Sequence, residues 1–510
     1  MSLNSDAPDG STVEPPQGKR GSKLYFLASL VAQASALLRY VAMARLLGPE
    51  QLGLAATLVV TASFFDQVSD TGSDRFLVQD RYGDAERVQR LVHLVMAGRG
   101  VTVALLLMAL SLPISWLYRE PRLIGGLIIL ALSPLIMGFS HLDVRRLQRH
   151  FDFRSEAFCM IAGESVSFVA TVTAAWITRS YTAVLFGLIC RALAIVLVSH
   201  LRAERRYALG WAGEHASRLA AWSGPLLLNG VLLFIGMQGD RVMIANQVGI
   251  KAIGQYSAVL LLIYYPSSLL SRVFLAMFVP QVAAARDDRA AQDKVCDRMA
   301  GQMTLLCMCI VMGFAAVAPP VVTVLYGHKY TQAALLVASI GVLQASRLML
   351  NWPVAIAMGI GRSRLVFYSS VLWLLVFPAG WLGLKTIGGL QGVVTGFALG
   401  QIVSTAAAVA LLSRALGEPT LKGMGRLARY TLVCAATALW SVVFERRLVL
   451  PAAVLLPLSV GLIWWIVERE KASILEAANI GLNIVRNAAT TLLPPWLKFR
   501  LGVESGSVKP

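Results

Sequence analysis

The chain alternates between long apolar runs and short polar joints over almost its whole length. A helix needs about 20 residues to cross a bilayer. Read at that length and cut at charges, glycines and prolines, the runs predict about fourteen helices: 24–46, 50–69, 92–117, 122–141, 156–178, 181–202, 219–240, 252–282, 299–326, 332–360, 364–384, 388–413, 427–444 and 449–467. The joints are short, the longest being about 22 residues around "TGSDRFLVQDRYGDAERVQR". Pro225, Pro266, Pro319 and Pro320 fall inside runs, where a missing N–H and a ring clash predict kinks. The leading stretch, "MSLNSDAPDGSTVEPPQGKRGS", is polar and rich in Ser, Pro and Gly, which predicts a disordered tail over 1–22. It is too polar for the core of a signal peptide, so the first run is expected to stay as an anchor. Near the other end, "LLPPWLKFRLGV" sets Trp496 and Phe499 beside Lys498 and Arg500, a mixture suited to the membrane surface.

Two joints echo each other. "RLLGPEQLGLAATL" at 45–58 lies over "NQVGIKAIGQYSAV" at 246–259, so that Gly48 and Gly53 match Gly249 and Gly254 at a shift of 201 residues. Glycine just past a helix end can close the last turn in the left-handed conformation, and a second glycine in the next helix allows close backbone approach. A weaker echo pairs "WLYREP" at the end of span three with "VLYGHK" at the end of span nine. The expected architecture is an all-α polytopic membrane protein of two similar six-helix lobes, 23–205 and 206–415, around a central cavity. Two extra helices follow within 416–468, and a partly interfacial tail over 469–510. Paired lobes with a cleft between them are a transporter plan.

Composition agrees with the pattern. Of 510 residues, 56% are hydrophobic and only 15% charged, with a mean hydropathy of +0.65, whereas a soluble domain is about 25% charged. The net charge of +18 is mostly a topology signal. Of the 46 Lys and Arg, 31 lie in the tails and alternate joints on the side of the N-terminus, 10 in the opposite joints and five inside spans. Basic residues concentrate on the cytosolic side, which places both termini there and excludes nucleic acid as the partner this charge serves. The six cysteines (159, 190, 296, 307, 309, 434) lie in or beside apolar runs without metal-ligand spacing and read as packing residues. No HExxH and no Walker A sequence occurs, so no metal, cofactor or ATP hydrolysis is expected. Gly359 and Gly361, and likewise Asp70, Gly72 and Asp74, read as helix-ending residues. The short joints leave no room for a soluble catalytic domain, and no enzyme is expected.

Three stretches carry a resemblance. "ARLLGPEQLGLAATLVVTASFFDQVSDTGSDRFLVQ" at 44–79 resembles the opening signature of the bacterial polysaccharide flippases. "RRLQRHFDFRSEAF" at 145–158 resembles their cytosolic loop after the fourth helix, and "GDRVMIANQVGIKAIGQYS" at 239–257 their seventh-to-eighth joint. These belong to the multidrug/oligosaccharidyl-lipid/polysaccharide exporter superfamily, and the similarity spans about residues 20–470. The resemblance implies a flippase of the bacterial inner membrane. It would move a polyprenyl-diphosphate-linked oligosaccharide from the cytosolic to the periplasmic leaflet, in exopolysaccharide or lipopolysaccharide O-antigen assembly. Glycosyltransferases and a polysaccharide polymerase of the same pathway would be its partners.

The residues that stand out are charges where lipid is expected. Arg39, Arg99, Arg191, Arg272 and Arg347 fall inside spans, each costing about 2.5–3.5 kcal/mol if it faced lipid at a helix centre. They should line a watery interior or pair with acids. Asp66, Glu164 and Asp240 are the candidate charge partners or coupling groups, with Asp70 also on hand. Arg99 and Arg272 lie near enough to a membrane surface to snorkel; Arg191 and Arg347 lie near mid-span. Guanidinium grips phosphate oxygens at two points and keeps its charge, so a net positive cavity binding the diphosphate is expected. A multidrug-type exporter would want an acidic or aromatic cavity, and a membrane glycosyltransferase or polymerase would want a large outer loop carrying carboxylates or histidines. The topology is testable with single cysteines in a background lacking the native ones. Probes at positions 251, 329 and 385 should react from the periplasm and those at 205, 289 and 364 should not; reversal of either set would overturn the frame.

Overall fold

The computed structural model describes residues 21–417 and 420–445, and among them it is helical apart from joints and one short turn of 3-10 helix. In chain order the helices are α1 (Ser22–Leu46), α2 (Pro49–Val68), α3 (Ser73–Gln79), α4 (Glu86–Ala109), α5 (Ser111–Tyr118), α6 (Leu123–Leu130), α7 (Leu132–Met137), α8 (Asp143–Arg149), α9 (Arg154–Thr178), α10 (Ala183–Leu201), α11 (Gly213–Gln247), α12 (Ile250–Ala284) and α13 (Arg289–Tyr326). There follow α14 (Ala334–Met349), α15 (Asn351–Gly359), α16 (Ser363–Trp373), α17 (Val376–Thr386), α18 (Gly389–Leu416) and α19 (Thr420–Glu445). Among the described residues, 11 helices or helix pairs are long and apolar enough to cross a membrane, and Leu123–Met137 is a shorter apolar segment. The chain is an all-α, multi-pass membrane protein. The expected span 449–467, the leading tail and the surface-seeking "LLPPWLKFRLGV" lie outside the described residues.

Four expected spans are each built of two helices, and proline explains all four. Span three divides at Leu110, span four at Ala131, span ten at Leu350 and span eleven at Leu374–Leu375. Pro113, Pro134, Pro353 and Pro378 follow three or four residues later. Proline cannot donate to the carbonyl four residues back and its ring clashes with it, so the first helix ends at that residue or one before it. The prolines at which the other kinks are expected do not divide their helices: α11 runs unbroken through Pro225, α12 through Pro266 and α13 through Pro319 and Pro320, as α12 also does through Pro280.

The chain divides into two compact units, Met1–Leu261 with Val322–Tyr330, and Leu262–Val321 with Thr331–Pro510. In the first unit the two echoing glycine joints pack on each other. A Cβ on Gly53 would lie 1.9 Å from the carbonyl oxygen of Ile250, and one on Gly254 would lie 2.0 Å from that of Pro49. The 201-residue shift carries Gly53 onto Gly254 and Pro49 onto Ile250, so the contact is reciprocal. The flanks repeat the exchange. Arg45, at the end of α1, donates to the carbonyls of Val324 and Leu325 at the end of α13. Its counterpart Asn246 donates to the carbonyl of Leu117 at the end of α5. The first glycines of the joints differ. Gly249 has φ 115°, as a left-handed helix end requires, but Gly48 has φ −79° and ψ 166°, because a residue before proline is pushed to the extended region.

At the opposite end of this unit the non-helical segment 202–212 is fastened by histidines. His93 Nδ1 donates to the carbonyl of Ala208 at 3.2 Å while its Nε2 accepts from the Leu142 amide at 3.0 Å. His141 Nε2 donates to the carbonyl of Arg205 at 3.0 Å while its Nδ1 accepts from the Asp143 amide at 3.1 Å. The Tyr207 ring packs against both rings and against His200. Beside them Asp143 is fully buried. Burial raises its pKa, but Arg146, the Glu204 amide and Gln89 outweigh that and hold it at about 2. In the second unit, Ser346 on α14 and Tyr430 on α19 are joined through their hydroxyls at 2.7 Å, and Arg426 meets Asp297 at 2.8 Å.

Two stability predictions follow from these contacts. Gly254→Ala should destabilise the solubilised protein by about 1–3 kcal/mol through overpacking, whereas Gly98→Ala, with open space around it, should be neutral or gain up to about 1 kcal/mol; thermal melts in detergent compare them. Burial lowers the His141 pKa below 6.5, against the pull of Asp143, so the unfolded chain takes up the proton first. Stability is therefore full above about pH 6.5 and declines as pH falls below it. The melting temperature should drop by on the order of a few degrees between about pH 7.5 and 5.5, with a flatter slope in His141→Gln.

Candidate functional site

Helices α9 and α10 form an antiparallel hairpin, and α1 packs along α9. Their mid-span charges meet on Glu164. Arg191 Nε donates to Glu164 Oε1 at 2.7 Å, and Arg39 donates through one terminal nitrogen to Glu164 Oε2 at 3.2 Å and to Ser167 Oγ at 2.6 Å. One carboxylate on α9 is thus shared by guanidiniums from α1 and α10. Glu164 is mostly buried, with 12% of its side chain exposed, whereas Arg191 is 42% exposed. Among the described residues Arg191 is bonded through Nε alone, which leaves its two terminal nitrogens able to donate to a ligand. Arg99 on α4 makes a separate clamp, donating to the Asp66 carboxylate at 2.7 Å, to the Asp66 carbonyl at 2.7 Å and to Ser69 Oγ at 2.9 Å. Asp66 lies open, 80% exposed.

Two adjoining cavities of about 390 and 270 Å3 share Asp66, Arg99 and Arg191 on their walls. The larger adds Arg75 and Arg145 on the basic side and Asp70, Asp74, Glu156 and Glu164 on the acidic side. Four guanidiniums therefore face five carboxylates, so the lining of this cavity carries one more acid than base and is not net positive as expected. The physical reason is that each buried or half-buried arginine is held by an acid that offsets its desolvation. Arg145 shows it well, lying 3.3 Å from Asp74 and 2.7 Å from Glu156. Asp70 accepts from the Gly72 amide at 2.9 Å and from Arg75 at 2.7 Å, so it closes the end of α2 as expected while also lining the cavity.

The remaining charged candidates lie elsewhere. Arg347 is half-buried in the last turn of α14, and Arg272 is exposed on α12, where its Nε reaches the Ser268 carbonyl at 3.4 Å. Both belong to the second unit. Asp240 on α11 is buried, accepts from the Tyr256 hydroxyl at 2.6 Å, and lines neither cavity. Sequence reasoning singled out no site role for Arg75, Asp74, Arg145 or Glu156. All four fall in or beside the quoted stretches 44–79 and 145–158, and that was the signal available. Cys307 is buried and Cys309 exposed, two helix faces as their spacing implies.

The comparisons with known proteins agree with this construction. A family model described as "Polysaccharide biosynthesis protein" matches residues 42–335. The succinoglycan biosynthesis transport protein ExoT of Rhizobium meliloti (strain 1021) is 24% identical over 393 residues, covering 75% of this chain and 77% of that protein. The lipopolysaccharide biosynthesis protein WzxC of Escherichia coli (strain K12) is 21% identical over 393 residues, covering 76% of this chain and 78% of that protein. Among solved structures, the lipid II flippase MurJ in an inward closed conformation shares the fold at a TM-score of 0.62 and 12% identity, over 90% of this chain and 100% of that one. With more than half of its length matched by the family model, this chain belongs to the polysaccharide biosynthesis protein family of multi-pass membrane proteins.

Proposed function

We propose that the chain is a flippase of the bacterial inner membrane, with both termini cytosolic. It carries a polyprenyl-diphosphate-linked oligosaccharide from the cytosolic to the periplasmic leaflet by alternating access, and supplies exopolysaccharide or lipopolysaccharide O-antigen assembly. The observation that carries this reading is the Arg39–Glu164–Arg191 bridge opening on a cavity within the helical bundle of a polysaccharide biosynthesis protein. A diphosphate offers several acceptor oxygens and more than one negative charge, enough to replace Glu164 as the partner of both guanidiniums. The sugar occupies the polar cavity, and the lobes 23–205 and 206–415 rock around it. Arg347 and Arg272 are assigned to the second lobe's side of the path, with Arg99, Asp66 and Asp240 as supporting or coupling charges. The protein performs no covalent step, and glycosyltransferases and a polymerase act before and after it.

The five carboxylates favour one rival, a multidrug-type exporter taking cationic compounds. Complementation of a deletion strain separates the two. The wild-type gene should restore surface polymer and clear lipid-linked oligosaccharide from the cytosolic leaflet, with no change in resistance to cationic drugs; the opposite result assigns the rival function.

The arginines can be tested in the same strain. Arg191→Ala should abolish polymer export while the melting temperature stays near wild type, because Glu164 keeps Arg39. Arg191→Lys should restore export only partly, since it keeps the charge but loses the two-point grip. The double change Arg39→Ala/Arg191→Ala strands a buried carboxylate and should cost about 3–5 kcal/mol, recovered by adding Glu164→Gln. Normal export by Arg191→Ala would remove this residue from the mechanism.

A further inference from the structure

Beside the charged bridge, on an adjacent face of the α9–α10 hairpin, lies a groove of about 730 Å3 with almost no polar surface. Its floor is kept low by Ala170 and Ala174, and its sides are Val169, Ile177 and Phe186, which are 61%, 68% and 54% exposed. The α9 positions recur every four residues from 165 to 177, one helix face about 20 Å long. An exposed apolar face is ordinary on a membrane helix. What distinguishes this one is where it ends. Ser165 and Cys190 are its last lining residues on the two helices, and Glu164 and Arg191 are their immediate neighbours in sequence. The groove's end on each helix is therefore one residue from Glu164 or Arg191, next to a point where two guanidiniums share one carboxylate, a local excess of positive charge.

We propose that this groove holds the isoprenoid tail of the transported lipid while its diphosphate occupies the Arg39 and Arg191 guanidiniums. The proposal rests on the flippase reading above and adds a site for the tail. One ligand class satisfies both halves at once: an anionic head joined directly to a long, branched hydrocarbon chain. The groove runs from the charges toward the Thr178–Ala183 turn, away from α8. With cytosolic termini, that turn is periplasmic. A tail lying this way belongs to a lipid whose head has entered from the cytosolic leaflet, so the groove is a loading site; a head delivered outward would draw its tail toward the other surface.

The test uses the full chain in vesicles of phosphatidylcholine and phosphatidylglycerol, with a polyprenyl diphosphate carrying a photoreactive group on its hydrocarbon. Labelling should map to 166–177 and 186–190. It should be competed by unlabelled polyprenyl diphosphate and not by polyprenol or added phosphatidylglycerol. Ala170→Trp and Ala174→Trp, which fill the floor, should each lower labelling about tenfold or more, equivalent to about 1.4 kcal/mol, at an unchanged melting temperature. Should both variants unfold, the wild-type label map and its competition decide the matter. Competition by polyprenol or phosphatidylglycerol would mean that the groove holds ordinary membrane lipid and would overturn the proposal. Labelling elsewhere, in a protein whose export still depends on Arg191, would overturn the groove and leave the flippase standing. Absence of any labelling, together with normal polymer export in the deletion strain, would remove both.

Discussion

Two backbones cross at Gly53 and Gly254 with room for no side chain between them, and the first unit is arranged about that crossing. Helix α2 reaches the carbonyl of Ile250 and helix α12 reaches that of Pro49, so each half of the repeat supplies both a glycine and the carbonyl that needs one. Without hydrophobic drive between apolar helices in lipid, close packing of small residues is what holds such a contact. Arg45 and Asn246 then fasten the ends of α13 and α5 to the same crossing. Reciprocal contacts of this kind are the signature of a twofold interface between like subunits, here enclosed within one chain.

The second constraint is electrostatic. A guanidinium inside a membrane needs water, an acid or both, and Arg39, Arg99 and Arg191 of the α1–α4–α9–α10 region each have an acid. That is why the cavity lining is not net positive although the protein as a whole carries +18. The excess positive charge belongs to the tails and joints.

Much of this was legible in the sequence. Run length marked the spans, the 201-residue echo marked the crossing, and burial logic picked out Arg99, Arg191, Asp66 and Glu164, which line one cavity, and Arg39, which is bonded to Glu164. Other features were not legible, each for a physical reason. The divisions at Leu110, Ala131, Leu350 and Leu374 follow from prolines whose effect appears one turn upstream of the residue that causes it. Proline also keeps Gly48 out of the left-handed region that Gly249 adopts. The balance of charge in the cavity depends on Asp74, Arg145 and Glu156, residues of joints and helix starts that look solvated in sequence and are brought to the cavity wall only by the packing of α3 and α8 against their neighbours. Sharing of one carboxylate by two arginines could not be read from spacing, since Arg39 and Arg191 are drawn from helices at opposite ends of the first half.

On the proposed flippase reading, the shared carboxylate also bears on turnover. A carrier that binds its cargo tightly on one side must let go on the other, and an arginine pair with no acid nearby would hold a diphosphate far too long. Glu164 is a competitor built into the site at fixed high local concentration. If the diphosphate binds as proposed, Glu164 lowers the net affinity for the cargo and recaptures the guanidiniums as the phosphate leaves. On that reading the emptied site keeps part of its positive charge, because one carboxylate offsets only one of the two guanidiniums.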